Sequence, residues 1–364
     1  MAKNLFINLS MLMSKPTGIT IYADSIFPYF TNLNPTLLIA QNNYNFNCYL
    51  IPKNLTSEQG TVGHFRRLLW TQFKLPKIYK KLEGSLLFSP VPEAPLYTNC
   101  QSVVMVHDLI PLRFPKKNSP LTPYFKNYIP QVLKQARHIL CNSQATATDI
   151  IDFFGISAKK ITPILLAYNS NHFRPLKLTK KIRSKTSLPY FLYLGRYDLH
   201  KNLSRLIKAF AGIRNYQNYE LWLAGQTDKR YTPKLQQQAT ELGIRNQIKF
   251  LDYVSYDQLP ILLNQALALV FPSLWEGFGF PVLEAMGCGT PVITSNSSSL
   301  PELAGDAGLL INPYQVSEIT DAMEQIINDD GLRSQLKTLS LQQSSQFSWQ
   351  KTGNSTLEVL KRFL

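Results

Sequence analysis

Short apolar runs alternate with stretches of helical period along the whole chain, and the pattern predicts strands followed by helices. In the first half, "LFINLSML" near the N-terminus reads as a strand, "SVVMVHDLI" (102–110) is a mostly apolar run ending in His-Asp, as buried parallel strands tend to be, and "HILCNS" (138–143) is another short strand. Ser143 is placed to cap the helix after the third run, and Gly155 to end it. In the second half, "YFLYLG" (190–195), "YELWLAG" (219–225), "IKFLDYV" (248–254) and "ALALVFPS" (266–273) repeat the strand signal. A helix from about Asn202 sets Leu203, Leu206, Ile207 and Phe210 at i, i+3, i+4 and i+7. Ser255 with Gln258, and Ser299 with Glu302, have the spacing of capping boxes.

Between the two blocks lies "RPLKLTKKIRSKTSLP", basic, polar and bounded by prolines, which reads as a linker. The fold class expected is therefore α/β, with two doubly wound domains whose ligands bind at the carboxyl ends of strands. A length of 364 residues suits two domains, and 45% hydrophobic with 17% charged residues is a globular composition. Cys48, Cys100, Cys141 and Cys288 are scattered without CxxC spacing, as reduced thiols of a cytoplasmic protein are. No apolar run is long enough to span a bilayer, and "MAKNLFINLSMLM" reads as a first strand and not a signal peptide.

The net charge of +15 is unevenly spread. Residues 1–188 hold 23 Lys+Arg against 7 Asp+Glu, whereas residues 189–364 hold 15 against 16. In the basic half, "HFRRLLWTQFKLPKIYKKL" (64–82) reads as an amphipathic helix. Arg66, Trp70, Lys74 and Lys77 make one stripe, with Arg67 beside it, and Phe65, Leu68, Leu69 and Phe73 make another. Such a helix suits an anionic membrane surface. The plainer reading is a surface helix whose apolar stripe faces the core.

Candidate chemistry lies in "FPSLWEGFGFPVLEAMGCGTPVI" (271–293), where a strand ends, a glycine loop follows and Pro281 begins a helix. Gly277 and Gly279 allow close backbone approach, and the helix start favours an anion. Glu276 and Glu284 stand on either side, and carboxylates accept hydrogen bonds from vicinal diols. An anion cradle between two diol acceptors fits a nucleotide sugar; a loop with two surface glutamates is the plainer alternative. "YLGRYDLHKN" adds Arg196 and Lys201 at another strand's carboxyl end, two cations able to clamp a diphosphate. His107 follows an apolar strand, where a structural hydrogen bond is the commoner role, and Asp108 suits a cap for the next turn.

These segments resemble the retaining GT-B glycosyltransferases of family 4. The family's Glu, seven residues, Glu pattern is present as Glu276 and Glu284. The likeness continues through "SSSLPELAGDAGLLINP" (297–313) and "GRYDLHKNLSRLIKAF" (195–210). It reaches the first half through "TGITIY" (17–22), "HDLIPLRFP" (107–115) and "CNSQATATDI" (141–150). The resemblance implies two Rossmann-like domains facing across a cleft: residues 1–173 on the acceptor side, a linker at 174–188 and a nucleotide-sugar domain at 189–345. A last helix within 346–364 would return to the first domain.

It further implies that Arg196 and Lys201 hold the donor diphosphate, Glu284 the ribose and Glu276 the transferred sugar. Gly277, Phe278 and Gly279 would contact that sugar through their backbone, Val254 would face the base, and His107 would stand near the reacting sugar. Gly18 would let the first loop approach the diphosphate, although Thr20 stands where the family often has a second glycine. No Asp-x-Asp occurs, so leaving-group charge is expected to fall to Arg196, Lys201 and the helix start, without metal or other cofactor. The expected reaction is hexosyl transfer with retention from GDP-mannose or a UDP-hexose to a glycan or lipid-linked acceptor. The "HDLIP" and "SSLPE" style of the chain is similar to mannosyltransferases of surface polysaccharide assembly. The expected place is the cytoplasm, at the inner face of the plasma membrane if the basic helix docks there. Other classes fit less well: a basic membrane- or nucleic-acid-binding protein on a non-catalytic scaffold, or a nucleotide-sugar epimerase. No nucleic-acid module is present in the sequence.

Overall fold

The first apolar run forms strand β1 (Leu5–Asn8), an inner strand of a parallel sheet completed by β2 (Thr36–Ile39), β3 (Asn47–Leu50), β4 (Leu86–Ser89), β5 (Ser102–Val106), β6 (His138–Cys141) and β7 (Ile161–Pro163). The order is β3-β2-β1-β4-β5-β6-β7. The computed structural model describes residues 4–13, 17–41, 44–116, 119, 121–177 and 188–364. Both faces of the inner strands β1, β4, β5 and β6 are covered, and these strands are buried along their whole length. On one face Phe6, Leu38 and Leu87 pack with Trp70, Leu75 and Tyr79. Elsewhere Phe88 meets Phe30 edge-on at 6.1 Å.

Four helices of this unit bear on function: α1 (Gly18–Ile26), α2 (Gly60–Phe73), α3 (Leu75–Lys81) and α4 (Gln144–Phe154). Ser143 caps α4 by accepting from the Thr146 amide, and Gly155 ends it at φ 64°. The single helix expected over 64–82 is two. Pro76, in the first turn of α3, has no N–H and clashes with the preceding turn, so the chain bends at Lys74.

A second parallel sheet holds β8 (Tyr190–Leu194), β9 (Glu220–Ala224), β10 (Ile248–Leu251), β11 (Ala268–Phe271), β12 (Val292–Ser295) and β13 (Gly308–Ile311). Its order is β10-β9-β8-β11-β12-β13, with the strand direction of build-up reversing between β8 and β11. In doubly wound sheets that reversal opens a crevice at the carboxyl edge. Helices α5 (Leu203–Ala211), α6 (Phe280–Gly287) and α7 (Leu300–Ala304) begin there. The predicted capping boxes do not form. Ser255 caps only a 3₁₀ turn, Tyr256–Gln258, without a side-chain bond, because the α-helix starts later, at Leu259. Ser299 has a helical backbone (φ −78°, ψ −9°), which turns its hydroxyl back to other carbonyls.

The chain divides into two units: residues 1–166 with 348–364, and residues 167–347. The last helix, α8 (Trp349–Lys361), thus belongs to the first unit, where the Thr352 hydroxyl donates to Leu165 O at 2.8 Å. Of the expected linker, residues 178–187 lie outside the described residues. The four cysteines form no disulfide among the described residues.

Candidate functional site

The loops after β8 and β9 leave the sheet side by side, with the Gly195 amide donating to Ala224 O at 2.9 Å and the Gly225 amide to Leu251 O at 3.3 Å. They lie so close that a Cβ on Gly225 would stand 1.9 Å from the Gly195 carbonyl oxygen, so only glycine fits there. From Gly195 the chain passes Arg196 into a 3₁₀ turn, Leu199–Lys201, and Asn202 at φ 65° redirects it into α5. The Asn202 amide donates to Pro272 O (3.1 Å) and Pro313 O (2.6 Å), and the Leu274 amide donates to His200 O (2.7 Å). These bonds stitch the Arg196–Lys201 loop to the glycine loop.

The consequence is a short ion pair: Lys201 Nζ donates to Glu276 Oε1 at 2.6 Å. Both side chains are largely withdrawn from solvent, at 14% and 9% exposure, which strengthens their attraction. An ammonium has three donors, so Lys201 can hold Glu276 and still offer N–H groups to an anion. Arg196 is 77% exposed, with Asp198 at 3.4 Å. His200 between them is buried. Desolvation, and then the Lys201 cation, push its pKa down to about 4, so it is neutral at pH 7.

The glycine loop is shaped by a run of serines that sequence reasoning did not single out as functional. The Glu276 amide donates to Ser298 Oγ (3.1 Å), and Ser299 Oγ lies 2.6 Å from Phe278 O and 3.1 Å from Glu276 O. Their signal in the sequence is three consecutive serines ahead of a proline at a helix start. Gly279 adopts φ 117°, and a Cβ there would meet Leu300 Cδ2 at 2.9 Å. Pro281 follows in the first turn of α6.

One turn along α6, half-buried Glu284 joins Gly195, Gly225, Tyr253, Val254 and Pro281 around a cavity of about 220 Å³. Desolvation raises the Glu284 pKa to about 7. Tyr253, 79% exposed, stands at the cavity as a flat aromatic surface with no counterpart in the sequence reading. The structure therefore brings Glu276 to Lys201, and Glu284 to Val254, with Gly195 of the cavity wall adjoining Arg196. A cavity with one carboxylate, an aromatic face and adjacent cations can take a nucleoside diphosphate.

In the first unit, Gly18 opens α1 after the Thr17 cap. His107 follows β5, its Nε2–H donating to Pro90 O at 2.8 Å and its ring edge-on to Tyr22 at 5.1 Å. Burial lowers its pKa to about 4, against the opposing effect of that hydrogen bond, so the ring is neutral. The Asp108 carboxylate accepts from the Ile110 amide, capping the next turn. Two residues expected on the basic surface are elsewhere. Trp70 is in the core, and Arg67 is buried in a bidentate pair with Glu93, both bonds at 2.8 Å. The apolar stripe does not face the core either: Phe65, Leu69 and Phe73 are exposed, while Arg66, Lys74 and Lys77 are at the surface as expected. The registry of the helix is set by Trp70 and the Arg67–Glu93 pair, which outweigh the simple count of apolar residues per face. Among the described residues no three His, Cys, Asp or Glu side chains are grouped to hold a metal, and no helix is long and apolar enough to cross a membrane.

Residues 176–340 match the family model described as glycosyl transferases group 1, and residues 58–171 match glycosyltransferase family 4. The O-antigen chain mannosyltransferase B of Escherichia coli is 34% identical over 245 residues, 65% of this chain and 64% of that protein. A serotype-specific mannosyltransferase WbdA of the same species is 31% identical over 281 residues, 72% of this chain and 34% of that one. The chain thus spans from about a third to somewhat under two thirds of the length of these curated relatives. In fold it is similar to Anabaena Alr3699/HepE, solved in complex with UDP, at a TM-score of 0.76 and 20% identity, covering 99% of this chain and 100% of that one. The two family models lie end to end over most of the sequence, one in each half, and the sheets are those of a GT-B fold: the chain belongs to the group 1, family 4 glycosyltransferases.

Proposed function

We propose that the protein is a retaining hexosyltransferase that moves mannose from GDP-mannose to a glycan or lipid-linked acceptor in surface polysaccharide assembly, without a metal. The observation that carries this reading is the Lys201–Glu276 pair placed beside the Glu284–Val254 cavity at one sheet edge. Base and ribose occupy the cavity, with the ribose hydroxyls on Glu284. The diphosphate meets Arg196 and Lys201, and Glu276, oriented by Lys201 and Ser298, accepts from hydroxyls of the transferred sugar. Mannose is chosen on the names of the relatives, both mannosyltransferases.

In the transfer, the bond from the anomeric carbon to the donor phosphate oxygen breaks, and the acceptor hydroxyl oxygen bonds to that carbon on the same face. Its proton passes to the departing phosphate oxygen. Negative charge grows on the diphosphate during this step, and the cations Arg196 and Lys201 stabilise it. His107, neutral with Nε2–H engaged by Pro90, is not protonated at neutral pH and does not act as an acid.

The test is a panel of GDP- and UDP-sugars read by thermal shift and donor turnover, with chelator present and the product anomer assigned by NMR. GDP-mannose is expected to stabilise the fold and turn over with retention. Glu276→Gln is expected to lower turnover by about 100-fold or more, with donor-induced stabilisation largely kept. Stabilisation by no nucleotide sugar, or inversion at the anomeric carbon, would overturn the reading.

A further inference from the structure

The outward face of α2 is apolar, and nothing in the transferase reading uses it. Val62, Phe65, Leu69 and Phe73 are 54%, 60%, 43% and 64% exposed. At intervals of three, four and four residues they form one stripe along the helix. Solvent exposure of four large side chains in a line is the pattern of an interaction surface and not of scattered apolar residues. The stripe has no route into the core by rotation of the helix. Gly63, Arg67, Trp70 and Thr71 hold the inner face, with Arg67 tied to Glu93 by two hydrogen bonds. Gly63 itself lies against the Thr56 carbonyl, which a Cβ would approach to 2.0 Å.

The charges around the stripe indicate its occupant. Arg66, Lys74, Lys77, Lys80 and Lys81 are all exposed, and residues 60–82 contain no Asp or Glu. The unit that carries α2 holds 20 Lys+Arg against 8 Asp+Glu. We propose that α2 docks this unit on an anionic lipid surface, with the Val62–Phe65–Leu69–Phe73 stripe entering the headgroup region and the five cations meeting lipid phosphates. An apolar stripe on a unit with this basic excess, followed directly by a helix bearing Lys77, Lys80 and Lys81, complements a sheet of anionic headgroups over acyl chains. This docking adds to the transferase reading a surface that works without donor or acceptor, so either can fail alone.

Co-sedimentation of the full chain with vesicles tests it, using phosphatidylglycerol–phosphatidylethanolamine vesicles against pure phosphatidylcholine at low salt. The wild type is expected to pellet with the anionic vesicles only, and to be released at about 0.5 M salt. Phe65→Ser with Phe73→Ser, and separately Lys77→Glu with Lys80→Glu, should each lower the bound-to-free ratio by about tenfold or more. All four side chains are exposed, so unchanged melting curves will accompany both variants. Equal pelleting of the variants and the wild type overturns the proposal. So does absence of pelleting by the wild type, or a concentration-dependent dimer that the phenylalanine variant dissolves.

Discussion

Glu284 and Glu276 are eight positions apart in sequence and of one chemical type, yet their surroundings separate their roles. Glu276 has Lys201 Nζ at 2.6 Å as a permanent partner, whereas no cation is bonded to Glu284 among the described residues, and desolvation raises its pKa from 4.5 to about 7. A carboxyl whose pKa is raised by folding holds its proton more tightly when folded. Its contribution to stability is complete below about pH 4.5 and is lost as pH rises through about 7. Glu284→Gln should therefore gain stability relative to the wild type by about 1–2 kcal/mol between about pH 5 and 8, read from melting curves across that range. A constant difference would show that Glu284 is solvated in the folded state. The two glutamates, Arg196 and Lys201 were legible as chemistry in the sequence because each is a charged residue next to a strand end or a helix start. Which cation serves which carboxylate was not legible, since it depends on the bonds from Asn202 and Leu274 that bring two loops together.

At the level of elements, every strand predicted in the second half formed: β8 and β11 are unbroken apolar runs buried throughout, and β9 and β10 each carry one charged residue, Glu220 and Lys249, which pair with each other. The errors were at helix starts. Ser299 has the spacing of a capping box but bonds to Phe278 and Glu276 instead, so a local motif was overruled by a tertiary demand for loop support. Gly225 is the converse case, a residue with no visible motif on which the packing of two strand ends depends. Gly225→Ala must drive the loops after β8 and β9 apart, and should destabilise the protein by about 3 kcal/mol or more while closing the cavity near Glu284. A melting curve within the error of wild type, with nucleotide-induced stabilisation intact, would count against that account.

On the scale of the molecule, the first unit is completed by the end of the chain. Thr352, Thr356, Val359 and Leu360 of α8 are buried, the Gly353 position faces the Tyr29 ring, and Phe363 stacks on His138 at 5.2 Å. Deleting residues 348–364 uncovers Tyr22, whose phenol bonds Thr356. Calorimetry should show the transition of the first unit lowered by about 10 °C or more, while nucleotide still stabilises the second. A deletion that leaves both transitions in place would separate α8 from the stability of the first unit. The charge excess of the first half was legible by counting, and α2 shows the limit of counting. Its sequence holds two plausible stripes, and the choice between them was made by one aromatic residue and one buried ion pair.

By itself, then, the sequence determined β1, β5, β6 and the strands from β8 to β11, the two α/β halves and the chemical types present at the candidate site. These depend on residue spacing and on charge, which are local. Only the tertiary structure decided that Lys201 meets Glu276, that Glu284 shares a cavity with Val254 and Tyr253, and that the apolar face of α2 points outward. Each of those depends on contacts between segments apart in sequence, for α2 the Arg67–Glu93 pair. The energy of those contacts comes from the burial and dielectric that the folded surroundings create.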